Sequence, residues 1–399
     1  MASAETFDLI LKNGLIIDPA NARSGPGDLA VRDGRIAAVQ GSIPDAKGKT
    51  VIDVSGCIVT PGLIDMHCHI CQKLPVSSDT LRCVDADAHM PQQGVTTAVD
   101  AGTCGWRDFF NFKEEVIDKA KVRILAFVNI AAGGMLSMET EREPANFHSR
   151  IAAELAAAFP DIAVGIKTAH YRPEPPFTEH YPAWTSVDKA LEAAELCGLP
   201  AMFDVWPAPG RSYEDLLLKK MRPGDIHTHV FARHIPVLEA DGHIAPYVLE
   251  AREKGILFDL GHGAGSFSFR NAIPAGRQGF FPDTISTDLY TDNIAGPAIG
   301  LTHVMSKFLS MGLPLDDVIA RTTVKPAAAI GHPELGTLNT GSCADITVLK
   351  LHEGSCGYTD SEGKRFSGNK KLECIAAIRE GRFLYNPGGL GLPQWDEPR

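Results

Sequence analysis

Between Leu63 and Pro333 the chain alternates between two hydrophobic periods. Short β-rich runs fall at 63–69, 95–100, 123–130, 162–168, 200–206, 225–231, 256–260 and 284–288. Helical patterns at 107–119, 145–158, 187–196, 213–220, 244–254 and 297–311 separate most of them. Strands that alternate with helices predict a parallel sheet, because each parallel neighbour needs a crossover. Eight is also the number of strands that closes into a barrel filled by its own side chains. The structural rival is an open, doubly wound sheet with a Gly-rich fingerprint after its first strand. No such run follows Leu63–His69. The fold class is therefore α/β, a (β/α)8 TIM barrel.

The two ends of the chain read differently. Apolar or alternating runs at 7–11, 14–17, 29–32, 35–39, 51–54 and 58–60 are punctuated by Asn13-Gly14 and Asp33-Gly34, both turn dipeptides. Strand texture returns at 344–349 and 374–385, the latter with a turn at 379–382, while polar, Gly/Ser-rich 354–371 reads as an exposed loop. Two β-rich flanks around one barrel most simply share one small β-sandwich, so 1–60 and 336–399 form one domain and 61–335 the catalytic barrel. A chain of 399 residues suits a barrel plus a satellite.

Composition removes several function classes. Lys and Arg total 38 against 49 Asp and Glu, a net charge of −11, and no basic block offsets it. Nucleic acid and anionic membranes are poor partners for such a surface. No apolar run has the roughly 18 residues of a membrane helix, and residues 1–12 lack a secretory pattern. The nine cysteines are odd in number and dispersed, which argues against a disulfide framework and for a reducing, cytoplasmic setting.

The chemistry gathers at strand ends. Asp65-Met66-His67-Cys68-His69 closes the first barrel strand. Residues i and i+2 of a strand share a face, so His67 and His69 both look into the barrel near the rim where barrel enzymes work. Such a pair can share a metal ion, or simply pack. Lys167 follows the apolar run 162–166, and a lysine buried there needs a partner or a modification; a lysine reaching solvent at the rim is the plainer alternative. His229 ends a second H-x-H with His227 on the same face, and Asp288 ends the eighth strand, where a turn aspartate is also common. Each is weak alone, but together they suggest a metal site.

Other signals carry less. Cys68 and Cys71 form a C-x-x-C, but Cys68 alternates with two inward histidines and so faces the helices. Gly261-His-Gly-Ala-Gly265 is not a dinucleotide fingerprint; it reads as a substrate-facing loop with His262 as a contact, or as a simple turn. Arg172 suits a substrate carboxylate or a rim salt bridge equally well. No G-x-S-x-G elbow is present.

The run Pro61-Gly-Leu-Ile-Asp-Met-His-Cys-His69 resembles the first-strand signature of the amidohydrolase superfamily. Leu9–Gly14, Asp33–Val39 and Asn339–Val348 resemble its sandwich strands. Val164–Lys167, Thr228–Phe231, Gly261–Phe267, Ile285–Asp288 and Met305–Phe308 are similar to its dihydroorotase-like deacetylase branch. The resemblance implies that His67, His69 and Asp288 hold a buried α metal, that a CO₂-derived carbamate on Lys167 bridges two metals, and that His229 holds the β metal. It implies a divalent cofactor, zinc first and manganese second, one or two per chain, and a chain that self-associates as its relatives often do.

One position departs. The pattern expects a histidine at or near Asp204. Asp204 ligates the β metal through oxygen, or the β site is weak or empty, or His227 substitutes from one layer below, roughly 6.5 Å deeper by strand geometry. On this reading a metal-bound hydroxide attacks a polarised carbonyl, and Asp288 moves the proton to the leaving group. The substrate class is an amide or ester of a small carboxylate-bearing molecule, as in deacetylases and acyl hydrolases. Ring-opening of a cyclic amide, imide or lactone is the alternative, and a non-catalytic scaffold derived from an amidohydrolase is the rival from another class.

Overall fold

The computed structural model describes residues 6–72, 82–171 and 176–396. The chain opens with β1 (Phe7–Asp18), β2 (Arg23–Arg32), β3 (Arg35–Gln40), β4 (Gly48–Asp53) and β5 (Ile58–Pro61). It continues through β6 (Leu63–Cys68), β7 (Val95–Asp100), β8 (Arg123–Asn129), β9 (Ala163–Thr168), β10 (Ala201–Phe203), β11 (Ile226–His227) and β12 (Leu257–Phe258), and ends with β13 (Ile346–Thr359), β14 (Arg365–Arg379) and β15 (Arg382–Tyr385). Strands β6 to β12 pair in sequence order, all parallel, in one curled seven-stranded sheet. Helices Phe109–Glu115, Ser149–Ala158, Thr185–Cys197, Pro246–Glu253, Phe269–Arg277 and Leu301–Ser310 supply most of the crossovers and outer packing.

The eighth run forms no ladder, yet it bonds to both free edges of this sheet. On the β12 side, Leu260 N donates to Thr284 O at 3.0 Å and Gly263 N to Thr287 O at 3.0 Å. On the β6 side, Asp288 N donates to His67 O at 2.6 Å and His69 N to Leu289 O at 2.9 Å. Strands β11 and β12 are shorter than the sequence predicts because the chain turns left-handed just beyond them, with φ of 61° at His229 and 47° at Gly261; Asp288 does the same at 50°. Such angles end extended geometry and redirect the next side chain.

Inside the curl, Ile64, Met66, Val99, Leu125, Phe127, Val164, Met202 and Ile226 pack against Ala327, Ile330 and Leu335. This apolar plug fills one end, so polar groups collect at the other. Entry to β6 depends on Gly62: a Cβ there would lie 2.1 Å from Thr96 Oγ1.

Both chain ends contribute to the second sheet, ordered β15-β14-β13-β5-β1-β2-β3 with β4 on β1. The ladders thus connect all eight of its strands, instead of leaving two sheets joined only by packing. It closes over a core including Leu11, Leu29, Val31, Val59, Ile346, Val348 and Ile378. Asn13-Gly14 is not a turn, as the dipeptide predicted. It is a bulge within one long strand, where Asn13 (φ 59°) gives its N–H to Asp28 Oδ1 at 2.9 Å, and β1 changes partner from β4 to β5. Asp33-Gly34 does turn β2 into β3.

Polar 354–371 is also no loop. It lies mostly in the β13–β14 hairpin, paired from Ile346↔Ile378 to Thr359↔Arg365. Cross-strand hydrogen bonding carries it where hydrophobic alternation is absent, which is why composition misled. Its tip docks on the segment after β12: Ser361 N donates to Phe267 O at 2.9 Å, and Asp360 Oδ2 accepts from Phe269 N at 3.1 Å. No helix among the described residues is long and apolar enough to cross a membrane.

Asp360 is buried, and its Oδ1 also accepts from the Glu362 and Lys364 amides. Asp360→Ala is predicted to cost about 1–3 kcal/mol for the donors it strands, read by urea denaturation. A loss below about 0.5 kcal/mol would show that the tip is not docked in solution.

Candidate metal centre

A cavity of about 160 Å³ opens at the polar end of the seven-stranded sheet, lined by His67, His69, Lys167, Asp204, His229 and Asp288 together with His170, Trp206 and Tyr290. The six predicted metal-site residues therefore share one cavity, from strand ends far apart in sequence. Two much larger clefts, about 580 Å³ beside Asp8 and Glu380 and about 640 Å³ beside Arg222 and Ile330, lie elsewhere and gather no comparable set of His and carboxylate groups among the described residues.

Ligand atoms of His67, His229 and Asp288 lie within 4.8 Å of one another, all buried. His69 Nε2 is 2.8 Å from Asp288 Oδ1, and His67 Nε2 is 3.6 Å from it. The hydrogen bonds behind the rings assign their tautomers. His67 Nδ1–H donates to Thr228 Oγ1 at 2.9 Å and Asp259 Oδ2 at 3.2 Å. His69 Nδ1–H donates to Thr103 Oγ1 at 2.7 Å, whose hydroxyl donates to Asp100 Oδ2 at 2.8 Å. His229 Nδ1–H donates to Gly261 O at 2.7 Å. Each ring thereby presents Nε2 to the cavity, the arrangement that orients metal-binding imidazoles.

Burial would raise the carboxyl groups of the site, but neighbours outweigh it. His229, His170 and Lys167 hold Asp204 well below the usual carboxylate range. The hydrogen bond from His69 and the charges of His67, His69 and His229 lower Asp288. Burial lowers Lys167, against the pull of Asp204, Asp288, Asp259 and Glu141. Burial, followed by the Lys167 charge, takes His67 well below its ordinary value. His229 moves up despite burial, drawn by Asp204.

Lys167 is fully buried. Its Nζ donates to Met202 Sδ at 3.3 Å, and no carboxylate among the described residues lies within ion-pair distance of it. Asp204 Oδ2 is 3.5 Å from His229 Nε2. Three cavity residues, His170 (φ 54°), His229 (61°) and Asp288 (50°), have left-handed backbones, strain that clusters at functional sites.

Alternation misassigned His227. Its ring packs 4.9 Å from the Tyr213 ring, outside the cavity, because left-handed His229 breaks the strand parity between them. His262 is fully buried: its Nε2 accepts from Lys307 Nζ at 2.7 Å, and its ring stacks on Phe267 at 4.5 Å. It does not line the cavity, although Gly265 and Ser266 of the same loop do. Arg172 lies outside the described residues. Cys68 and Cys71 are buried free thiols.

Sequence reasoning missed His170 and its partner Glu141. His170 Nδ1 is 2.7 Å from Glu141 Oε2, and Asn129 Nδ2 donates to Glu141 Oε1 at 2.7 Å. Against burial, the Glu141 carboxylate pushes His170 up to about 9. The available signal was a histidine three residues past Lys167 at the same strand end.

Residues 58–383 match the amidohydrolase family. A deacetylase of Enterococcus faecalis is 29% identical over 95% of this chain and 100% of its own length. A deacetylase of Brucella anthropi is 32% identical over 88% of this chain and 85% of its own. Among solved structures, an adenine deaminase aligns with a TM-score of 0.85 at 28% identity, over 95% of this chain and 100% of its own. A dihydroorotase aligns with a TM-score of 0.81 at 27% identity, over 95% and 99%.

Asp259 holds the His67 tautomer, so Asp259→Asn is predicted to weaken metal affinity by about 10–100-fold, measured by competition with a chromophoric chelator. Unchanged affinity would show that the carboxylate does not orient the ring.

Proposed function

The chain belongs to the amidohydrolase family and is a hydrolytic enzyme acting on non-peptide amide bonds, and from that premise we propose that it is a metal-dependent deacetylase or acyl hydrolase of small carboxylate-bearing molecules. The observation that carries this reading is the convergence of buried His67, His229 and Asp288 within 4.8 Å. The donor set fits a divalent cation: neutral imidazole nitrogens and ionised carboxylates are what zinc and manganese accept, with zinc favoured by the nitrogen content. His67, His69 and Asp288 would hold one ion, with His229 and Asp204 on the side of a second. Lys167 would join them as a carbamate. Its support is a buried amine that burial lowers and that no carboxylate among the described residues meets at ion-pair distance, because the neutral amine is the form that takes up CO₂.

A bound cation would supply Lewis acidity and a lowered water pKa. The chain's own groups do the rest. Asp288, held ionised by His69 and His67, stands ready to take a proton and deliver it to the leaving nitrogen or oxygen. Trp206, Met135 and Tyr290 form the less polar part of the wall, and about 160 Å³ suits a short acyl group. The cyclic-amide alternative draws on the dihydroorotase neighbour.

The finer architecture belongs to the same reading. Segment 284–289, bonded to both sheet edges, would complete a (β/α)8 barrel over 61–335, with 1–60 and 336–399 as the β-domain. Self-association and a cytoplasmic setting are proposed with it.

Asp288→Asn is predicted to lower kcat by at least ~10²-fold while metal is retained; full activity would remove its acid–base role. The whole reading is tested by screening zinc- and manganese-reconstituted protein against N-acyl amino acids, acyl hydroxy acids and cyclic amides. Turnover of the acyl compounds, abolished by chelation, is the expected result. Turnover of cyclic amides alone would select the alternative, and none in any class would overturn the hydrolase reading.

A further inference from the structure

We propose that His170 supplies the imidazole that Asp204 no longer provides, so that Asp204, His170 and His229 together hold the second metal ion. This rests on the metal-dependent reading above. A binuclear site of this family would take a histidine from the end of β10, where this chain has Asp204. The substitution leaves that side one imidazole short.

The loop after β9 brings another imidazole into the same cavity. His170 lines it, and its Nε2 lies 4.0 Å from Asp204 Oδ2, the oxygen that is 3.5 Å from His229 Nε2. Two ligands of one tetrahedral zinc at about 2.1 Å stand about 3.4 Å apart. The His229–Asp204 separation already matches, and His170 must draw about 0.6 Å closer to Asp204 (4.0 against 3.4 Å) and turn towards His229.

Three features suggest a site built for this ring. Glu141 is buried and engages Nδ1, and Asn129 holds Glu141 in turn, the carboxylate–imidazole support that metal-binding histidines use. His170 has a left-handed backbone, which aims the ring back over the sheet instead of along the chain. Arg211, itself buried, donates to the carbonyls of Tyr171 and Trp206 and so braces the loops carrying His170 and Asp204 against each other. A histidine serving only to fill space would require none of this.

The exchange predicts a rescue. His170→Asn keeps a residue that tolerates the left-handed backbone but removes the imidazole. Adding Asp204→His to it returns a histidine to the end of β10. Each protein is saturated with zinc, desalted and assayed for zinc per chain by plasma mass spectrometry, with the melting temperature recorded. The wild type is expected to keep two zinc ions, His170→Asn one, and the double variant two, all with cooperative melting. Two ions in His170→Asn, or no recovery in the double variant, would overturn the exchange and leave the hydrolase reading intact. One ion in the wild type would also overturn it, in favour of a mononuclear enzyme. No bound zinc and no zinc-dependent rise in melting temperature would overturn both.

Discussion

The Asp259 carboxylate, fully buried at the end of β12, holds four groups from three other segments. Its Oδ1 accepts from Thr284 Oγ1 and Ser286 Oγ, each at 2.7 Å, and its Oδ2 from Thr228 Oγ1 at 2.8 Å and the His67 ring at 3.2 Å. An isolated carboxylate in such a place would cost several kcal/mol, so the network must be complete for the fold to tolerate it. Completing it ties the eighth segment to β12 and turns His67 so that Nε2 meets the cavity. Asp65 plays a parallel part on the other edge, accepting from Thr287 Oγ1 at 2.5 Å and Thr287 N at 3.1 Å. The same hydrogen bonds thus join the sheet edges and prepare the site.

This coupling explains why so many ionisable groups can be buried together. His67, His69, His229, Asp204, Asp288 and Lys167 are all almost inaccessible. Each of His67, His69 and His229 has one nitrogen committed to a fixed acceptor, and the carboxylates are balanced by imidazoles and the lysine. The apolar plug beneath, from Ile64 to Leu335, keeps this charge at one end of the sheet. The hairpin tip at Asp360–Lys364 reaches the segment after β12, whose Gly265 and Ser266 line the cavity. The second sheet therefore packs against one wall of the active cavity.

His67, His69, Lys167, His229 and Asp288 were legible as candidates because each lies at the end of a run whose hydrophobicity marks it as a strand, and parallel strands bring their ends to one rim, whereas Asp204 was singled out only because the family resemblance expects a histidine there. His227 was misread because strand parity holds only while φ stays negative, and His229 breaks it. Polar 354–371 looked like a loop because ladder hydrogen bonds leave no trace in composition. Asn13-Gly14 looked like a turn because a bulge and a turn need the same left-handed residue.

The order of strands and helices, the apolar plug and the inventory of histidine, lysine and aspartate residues at strand ends were determined by the sequence itself, since each depends on local period and residue type. Which ring nitrogens face the cavity was decided only by tertiary structure: the acceptors behind His67, His69 and His229 come from Thr228, Asp259, Thr103 and Gly261, mostly distant in sequence. So was the arrival of His170 beside Asp204. That meeting needs a left-handed residue after β9, a buried glutamate from the helix Met138–Arg142, and a guanidinium bracing two loops. None of these has a periodicity that a linear reading could detect.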